Sequence, residues 1–280
     1  MGVGTWLELS AFRRTGSMEN VIDPSQLFSI RGKTAVVSGG SRGIGKMIAG
    51  GFVAAGVRVY ICARKADACD ATAAELGRAG ECVSLPADLS TLAGVKDFAS
   101  RLREREGRVH ILVNNAGAAW GAPLEEYPES GFDKVLDVNV KAVFQLTQQL
   151  LPLLRSAATK EDPARVINIG SIDGLRVPSA ESYAYSASKA AVHMLTRHLA
   201  SALVGDHINV NAIAPGLFPS RMTAYMFESE AAGEVVEGIP MKRAGTPEDI
   251  AGTAIYLSSR ASAYVTGAVL PVAGGLATIA

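Results

Sequence analysis

Short apolar runs alternate with longer amphipathic segments along most of the chain, from residue 33 onward. The runs are rich in Val and Ile, which is typical of strands with both faces buried. They predict strands at 34–38, 58–62, 81–85, 111–114, 165–169, 208–213 and 269–272. The spacing of apolar residues between them predicts helices at 44–55, 66–78, 92–105, 130–154 and 183–203, with further helical segments after 213.

Strands that alternate with helices of about ten or more residues are the pattern of consecutive β-α-β units. The pattern predicts an α/β fold: a Rossmann-type, doubly wound parallel sheet of about seven strands with helices on both faces. Because neither a linker nor an internal repeat interrupts it, we expect residues 30–280 to form a single domain. Residues 1–29 show no sustained period and are interpreted as a loosely ordered N-terminal arm, within which Met18 is an alternative start.

Composition argues against several classes of function. The 27 basic and 27 acidic residues give zero net charge, and so no electrostatic reason to bind nucleic acid or an anionic membrane. No apolar run approaches the roughly 18 residues of a membrane span. Three cysteines without Cys-x-x-Cys spacing favour a reducing, cytoplasmic location. No metal site is expected, because ligand spacing is missing among the histidines, which are His110, His193, His198 and His207.

The first candidate for chemistry is Tyr185 with Lys189, near the start of the helix predicted at 183–203. Residues four apart share one helix face, so the phenol and the ammonium can converge. A nearby ammonium is expected to lower the pKa of the phenol from about 10. Ser171 supplies a hydroxyl that can hold a substrate oxygen. Together they indicate proton transfer to or from a carbonyl or alcohol. The alternative is an ordinary solvated helix face. Tyr183 lacks a matching lysine and is assigned to packing or the pocket rim.

A glycine-rich turn follows the first predicted strand, with Gly39, Gly43 and Gly45 separated by residues that include Ser41 and Ile44. Glycines allow backbone N–H groups to approach a phosphate, and the next helix offers its N-terminal dipole. The spacing differs from the common G-x-G-x-x-G pattern, and a purely structural turn is the alternative. Its place at the first strand–helix turn favours a dinucleotide cofactor.

The residues after the second predicted strand indicate which nicotinamide cofactor is used. An acid there would bind the ribose 2′-hydroxyl of NAD. This chain carries Arg64 instead, and Arg42 in the glycine turn is a second cation. Arginines pair well with a 2′-phosphate, so the sequence predicts NADP(H). The alternative is that Arg64 is an ordinary solvated charge.

With these residues in place, the chain resembles the short-chain dehydrogenase/reductase family from about residue 32 to residue 275. Further landmarks of the family follow in order, namely Asp88-Leu89, Asn114-Asn115-Ala116-Gly117, Asn139, Ser171, Tyr185, Lys189 and Pro215-Gly216. There are two departures. The interval between Ser171 and Tyr185 is one residue longer than usual, and Ala273 stands where many relatives carry Asp.

The resemblance implies which residues bind the cofactor. Asp88 would contact the adenine amine, and Leu89 would contribute through its backbone. Asn115, Ala116 and Gly117 would line the adenosine ribose and the pyrophosphate. The residues implied to flank the nicotinamide are Pro215 and Gly216.

The resemblance also implies the catalytic roles. Tyr185 would act as general acid, with Ser171 orienting the substrate oxygen. Lys189 would bind the nicotinamide ribose, and Asn139 would hold a water in a proton relay to Lys189. Tyr185 and Lys189 would therefore contact the cofactor as well as the reacting groups.

Within the family, the closest likeness is to members that reduce 3-oxoacyl thioesters, on the stretches 38–45, 113–117, 148–155 and 219–223. This implies an NADPH-dependent ketone reductase of fatty acid metabolism that forms a homotetramer through its two long helices and last strand. Apolar residues at 217–227 are either a lid over an acyl chain or part of the core.

Other activities remain open. Gln145 and Asp206 stand where relatives that use an acyl carrier protein present arginines, so a coenzyme A thioester or a free ketone is a further option. A sugar or polyol dehydrogenase of the same family is one alternative function. A cofactor-binding protein without turnover is the other.

Overall fold

The computed structural model describes residues 22–228 and 232–278, which contain one seven-stranded parallel sheet. The strands are β1 (Thr34–Ser38), β2 (Arg58–Cys62), β3 (Cys82–Ser84), β4 (Ile111–Asn114), β5 (Ala164–Ile169), β6 (Ile208–Pro215) and β7 (Val269–Val272). Their order across the sheet is β3-β2-β1-β4-β5-β6-β7. All seven lie where the apolar runs predicted them, although β6 continues to Pro215.

Helices connect and cover the strands. They are α1 (Pro24–Leu27), α2 (Gly43–Ala54), α3 (Ala66–Leu76), α4 (Leu92–Arg103), α5 (Glu129–Leu136), α6 (Ala142–Ala157), α7 (Tyr183–Leu203), α8 (Ala224–Glu228), α9 (Ala232–Glu237) and α10 (Pro247–Ser258). Buried residues of α4, α6 and α7 pack on one face of the sheet, and those of α2, α3 and α10 pack on the other. Successive residues of β1 divide between these two cores, Val36 in the first and Val37 in the second. The predicted doubly wound, Rossmann-type fold is confirmed.

One predicted element is wrong in detail. The continuous helix expected at 130–154 is divided into α5 and α6 by a π-helical turn at Asp137–Lys141. A π turn inserts one residue without reversing the chain, so the apolar spacing on either side still looks helical. Asn139 lies inside this turn and is buried.

Of the predicted N-terminal arm, residues 1–21 lie outside the described residues. The rest contains α1, which the sequence analysis did not predict and which Asp23 caps by accepting a hydrogen bond from the N–H of Ser25 at 2.9 Å. The domain boundary at residue 30 stays a prediction. Among the described helices, none is long and apolar enough to cross a membrane. The same residues include no group of His, Cys, Asp or Glu arranged to hold a metal ion.

The strand order places a crevice beside the carboxyl ends of β1 and β4. The chain winds outward in one direction from β1 through β2 to β3, and in the other from β4 to β7. Open α/β sheets bind ligands at such a reversal, outside the carboxyl ends of the strands. The glycine-rich turn after β1 and the Asn-Asn-Ala-Gly turn after β4 both begin here.

Candidate active site

The glycine-rich turn needs its glycines for backbone conformation and for space. Gly39 and Gly43 have φ angles of 65° and 53°, in the left-handed region that favours glycine. A Cβ on Gly45 would collide with the carbonyl oxygen of Gly39 and with the side-chain amide of Asn115. Helix α2 begins at Gly43, directly after this turn. Its N-terminal N–H groups therefore lie at the crevice, where a helix attracts an anion such as a phosphate.

Ser38, which the sequence analysis did not select, joins the two turns of the crevice. Its Oγ accepts hydrogen bonds from the N–H groups of Asn115, at 2.9 Å, and Ala116, at 3.0 Å. The amide of Asn115 donates back to the carbonyl oxygens of Ser38, at 2.9 Å, and Gly39, at 3.1 Å. The Asn115 side chain thus supports the glycine turn, and its direct contact with a cofactor stays a prediction. No spacing rule identifies a lone serine at a strand end.

The side chains expected at the adenosine end lie together at the carboxyl ends of β2 and β3. The N–H of Gly40 donates to the carbonyl of Cys62, at 3.3 Å, which brings the end of β2 beside the glycine turn. Arg42 and Arg64 are both exposed there. Asp88 accepts from the N–H of Ser90, at 3.0 Å, and from its hydroxyl, at 2.8 Å.

Leu89, next to Asp88, is buried in the core that α4 and α6 cover. Burial works to raise the pKa of Asp88, but the hydrogen bonds from Ser90 and the charge of Arg64 lower it below its ordinary value. A polar edge that carries both signs of charge is therefore available to a nucleotide.

Asn139 connects the turn after β4 to α7. Its Oδ1 accepts from the N–H of Ala118 at 2.8 Å, and its Nδ2 donates to the carbonyl of Ala118 at 2.9 Å and to Oγ of Ser188 at 2.9 Å. Ser188 in turn donates to the backbone carbonyl of Tyr185, at 2.7 Å. The side-chain amide is thus engaged by protein groups, and the expected water relay to Lys189 stays a prediction. A π turn at a buried polar residue is itself a frequent mark of a functional site.

Ser171, Tyr185 and Lys189 converge at the carboxyl end of β5. Ser171 is buried and begins the one-turn 3-10 helix Ile172–Gly174, where its Oγ accepts from the N–H of Asp173 at 3.1 Å. Lys189 is buried, donates from Nζ to the carbonyl of Ile169 at 2.8 Å, and lies 5.5 Å from the centroid of the Tyr185 ring. The three groups predicted from spacing therefore form one cluster.

The expected pKa shift of Tyr185 is wrong. Burial raises the pKa of Tyr185 to about 12, and the charge of Asp173 adds to this effect. The hydrogen bond with Ser171 works in the opposite direction. Burial also lowers the pKa of Lys189 to about 8, opposed by Asp173. The cost of burying a phenolate outweighs the hydrogen bond with Ser171, because a buried site disfavours the charged form of a titratable group.

Comparison with known proteins agrees with this geometry. A family model described as Enoyl-(Acyl carrier protein) reductase matches residues 39–277. The chain is 55% identical over 249 residues to the rhamnolipids biosynthesis 3-oxoacyl-[acyl-carrier-protein] reductase of Pseudomonas aeruginosa, covering 89% of this chain and 97% of that protein. The chain belongs to the short-chain dehydrogenase/reductase family.

Other members of the family differ in the substrates that their names state. The solved Pseudomonas aeruginosa RhlG/NADP active-site complex has a TM-score of 0.88 and 54% identity, covering 90% of this chain and 99% of that chain. The 2-dehydro-3-deoxy-D-gluconate 5-dehydrogenase of Bacillus subtilis is 37% identical over 253 residues, covering 89% of this chain and 96% of that protein. Enoyl, 3-oxoacyl and sugar-acid substrates all occur in these descriptions, so family membership alone leaves the substrate unassigned.

The remaining predicted residues of this family member lie around the same crevice. A Cβ on Gly117 would be 3.4 Å from Oδ1 of Asn139 and 3.9 Å from Nζ of Lys189, which places Gly117 beside these two predicted catalytic residues. Pro215 ends β6, and the N–H of Gly216 donates to the carbonyl of Val272 at 2.9 Å. A Cβ on Gly216 would be 2.8 Å from the backbone of Ala273, so this departure from the family pattern lies behind the turn after β6.

Tyr183 is the first residue of α7 and packs against Tyr127. It is 40% exposed, and its ring meets that of Tyr127 edge to face with 5.6 Å between the centroids. Tyr127 also donates to the carbonyl of Trp120 at 3.1 Å. The N–H of Ala122 donates to the carbonyl of Glu181 at 3.2 Å, so the loop after β4 is joined to the loop before α7. Tyr183 therefore packs against Tyr127, and its place on the rim of the pocket stays a prediction.

Proposed function

We propose that this protein is an NADPH-dependent 3-oxoacyl reductase, in which Tyr185 donates a proton to the oxygen of a ketone. The observation that carries the proposal is the convergence of Tyr185, Lys189 and Ser171 at the crevice, in a chain 55% identical to a 3-oxoacyl-[acyl-carrier-protein] reductase. A phenol whose pKa is raised keeps its proton at neutral pH. That is the form required of a general acid in ketone reduction.

The glycine turn and its neighbours fit a phosphorylated dinucleotide. A Cβ on Gly45 would fill the cradle between the two turns, and the N-terminus of α2 favours a pyrophosphate. Arg64 and Arg42 are exposed at the end where a 2′-phosphate would lie, and the RhlG structure contains NADP. When bound, NADPH supplies the hydride that reduces the carbonyl carbon.

The protein's own groups manage the proton and the substrate oxygen. Ser171 and Tyr185 both present a hydroxyl to one oxygen, which orients the carbonyl and stabilises negative charge as it develops. Tyr185 then gives up its proton to that oxygen. Lys189, fixed by the carbonyl of Ile169, supplies a positive charge beside the resulting phenolate. Asn139 holds α7 in register through Ser188, so the helix delivers Tyr185 and Lys189 together.

The substrate side is apolar and partly open. Phe218 is buried in the core, whereas Met222 and Tyr225 are 45% and 61% exposed. Flexible Met and aromatic side chains suit an adaptable cover over an acyl chain. Asp206 pairs with Arg155 at 2.8 Å, so the position where relatives present an arginine carries a neutralised acid. This favours a thioester of coenzyme A, or a free 3-oxo compound, over an acidic carrier protein.

We also propose a homotetramer in the cytoplasm. Phe144 on α6 and Met194 on α7 are 44% and 53% exposed, and Leu270 on β7 is 36% exposed. These are the two long helices and the last strand that the family resemblance assigns to subunit contacts. Cys62, Cys69 and Cys82 are free thiols, as a reducing compartment keeps them.

A substrate screen tests the proposal. Purified protein is mixed with NADPH or NADH and with a panel of acetoacetyl and longer 3-oxoacyl thioesters, an enoyl thioester, a 2-dehydro sugar acid and simple ketones, and cofactor oxidation is followed by absorbance. We expect turnover with 3-oxoacyl thioesters and NADPH. Faster turnover of the sugar acid would support the alternative family activity, and an absence of turnover across the panel would support a protein that only binds the cofactor.

A further inference from the structure

A side-chain hydrogen bond joins α3 to the glycine-rich turn. Oγ1 of Thr72, in α3, donates to the carbonyl oxygen of Ser41 at 2.9 Å. Thr72 is only 5% exposed, so water competes little for this bond. The carbonyl of Ser41 and the N–H of Arg42 belong to one planar peptide unit. The bond therefore fixes the stretch of backbone from which the Arg42 side chain starts.

Thr72 differs from the other threonines inside the described helices. Thr147, Thr196 and Thr253 each donate to the carbonyl four residues earlier in their own helix, at 2.8, 2.8 and 2.9 Å. Such a bond is the usual local use of a threonine hydroxyl in a helix. Thr72 instead donates to a turn 31 residues away in the sequence. Its hydroxyl thus makes a contact between two elements of the fold.

The helix that carries Thr72 is itself attached to the sheet. Cys69 lies three residues earlier, on the same face of α3, and is buried. Its Sγ donates to the carbonyl of Ile61 in β2 at 3.4 Å. The N–H of Gly40, in the glycine turn, donates to the carbonyl of Cys62 at the end of the same strand. The end of β2, α3 and the glycine turn therefore form one connected unit.

The part of the turn that leads into α2 has a separate support. The side-chain amide of Asn115 donates to the carbonyl of Gly39 at 3.1 Å and lies where a Cβ on Gly45, in the first turn of α2, would be. This is the region where a pyrophosphate is favoured. Thr72 acts at another point of the turn, next to Arg42, whose exposed side chain makes no capping hydrogen bond to α2. The two supports therefore serve different parts of a bound dinucleotide.

We propose that Thr72 is a positioning residue for cofactor specificity, which acts through the carbonyl of Ser41 to hold Arg42 where its guanidinium can pair with the 2′-phosphate of NADPH. The inference rests on the proposed function, because it takes NADPH as the cofactor and Arg42 as one of the cations at its 2′-phosphate. Thr72 does not touch the cofactor in this assignment. Arginine binds phosphate through N–H donors in a fixed planar arrangement, so the pairing depends on where its backbone is held.

The test compares Thr72→Val with the unchanged protein in the binding of two small ligands, measured by calorimetry and without turnover. Adenosine 2′,5′-bisphosphate carries a 2′-phosphate, whereas ADP has the same number of phosphates and none at that position. Valine has nearly the shape of threonine but lacks the hydroxyl. We expect the Kd for the bisphosphate to rise about five- to tenfold, part of the roughly 10–100-fold that a charge-assisted hydrogen bond contributes, and the Kd for ADP to stay within about twofold. In steady-state kinetics, KM for NADPH should rise by a similar factor, with KM for NADH and kcat little changed.

Matched variants separate this role from general support of the fold. Thr72→Ser keeps the hydroxyl and should restore the affinity for the bisphosphate. Glu75→Gln weakens a different link between α2 and α3, the ion pair of Glu75 with Lys46 at 2.7 Å, and should change neither Kd. In an Arg42→Ala background, Thr72→Val should have no further effect, because the group that it positions is gone. If Thr72→Val does not fold, Thr72→Ala removes the same hydroxyl with a residue that favours helix.

The outcomes distinguish this inference from the proposed function. Equal losses of affinity for the bisphosphate and for ADP would mean that Thr72 supports the turn as a whole, and two unchanged affinities would mean that the bond does not matter for binding. Either result, or a further loss in the Arg42→Ala background, would overturn the inference and leave the proposed function standing. An unchanged protein that binds ADP as tightly as the bisphosphate, and NADH as tightly as NADPH, would refute the proposed cofactor and the inference with it.

Discussion

At the scale of residues, burial moves the two central titratable groups toward their neutral forms. The pKa of Tyr185 rises to about 12, and that of Lys189 falls to about 8. At pH 7 the phenol therefore holds its proton and most of the lysine is still charged. This combination suits reduction of a ketone. Oxidation of an alcohol needs the phenolate, so its rate should rise with pH.

Replacing Tyr185 with Phe removes the proton donor and little else. Because positioned proton transfer contributes about 10²–10⁴-fold, kcat should fall by that factor. NADPH affinity, measured by fluorescence titration, should change little. Tyr183→Phe is the matched control, since it removes a partly exposed hydroxyl two residues away, and it should keep kcat within a few-fold. Near-normal turnover by Tyr185→Phe would refute the assignment of the general acid.

Replacing Arg64 with Ala tests the cofactor prediction. A charge-assisted hydrogen bond to a phosphate contributes about 1.5–3 kcal/mol, so KM for NADPH should rise roughly 10–100-fold while KM for NADH stays the same. Lys65→Ala removes an adjacent exposed cation and should have a much smaller effect. Equal changes with the two cofactors would show that Arg64 does not contact the 2′-phosphate.

The sequence allowed prediction of site residues that stand at a recognisable spacing from one another, but not of site residues without such a spacing. Tyr185 and Lys189 are four apart on a helix, a relation that can be read without a structure. Ser38 and Ser188 each make hydrogen bonds to residues far away in the sequence, so their importance depends on which strands and helices become neighbours. The sign of the Tyr185 shift was wrong for a similar reason, because burial is a property of the assembled site.

At the scale of elements, the strands were predictable because both faces of the sheet are covered. The strands β1, β4, β5 and β6 are runs of fully buried residues rich in Val and Ile, and such runs are hard to place elsewhere. The division between α5 and α6 was not predictable, because the π turn preserves the apolar face on both sides. Asn139, inside this turn, makes hydrogen bonds with Ala118 and Ser188 that exist only once the fold has assembled.

Two glycines in α2 should respond oppositely to Ala. Gly45 has no room for a Cβ, so Gly45→Ala should displace the turn, weaken NADPH binding at least tenfold and lower Tm. Gly50 lies in the interior of the same helix, and a Cβ there would be 3.5 Å from Leu76 in ordinary contact. Gly50→Ala should raise stability by about 0.5–1 kcal/mol and leave cofactor binding unchanged. Calorimetry and fluorescence titration measure both effects, and a Gly45→Ala protein that binds NADPH normally would contradict this account of the turn.

At the scale of the whole molecule, one alternation of elements determines both the fold and the position of the site. Parallel strands joined by helices close in right-handed crossovers, so the chain has few ways to arrange itself once the alternation is known. The strand order then places the first and fourth turns side by side. The predicted positions of the cofactor and of the reacting groups both follow from that single reversal of strand order. The proposed association of copies through α6 and α7 would depend on the outer faces of these helices, which the core pattern does not specify.

The exposed apolar residues on those helices make the assembly testable. Phe144 and Met194 are large side chains on the outer faces of α6 and α7. If they are buried between subunits, a charge at either position would be left unpaired in an apolar contact, which costs several kcal/mol. Phe144→Asp combined with Met194→Asp should therefore raise the subunit dissociation constant by roughly a hundredfold or more. Light scattering after size exclusion should then show a smaller particle than the tetramer expected of the unchanged protein. Leu92→Asp is the control, because it places the same charge on an exposed leucine of α4 and should leave the particle mass unchanged. Equal masses for the unchanged protein, the double variant and Leu92→Asp would rule out the α6–α7 contact.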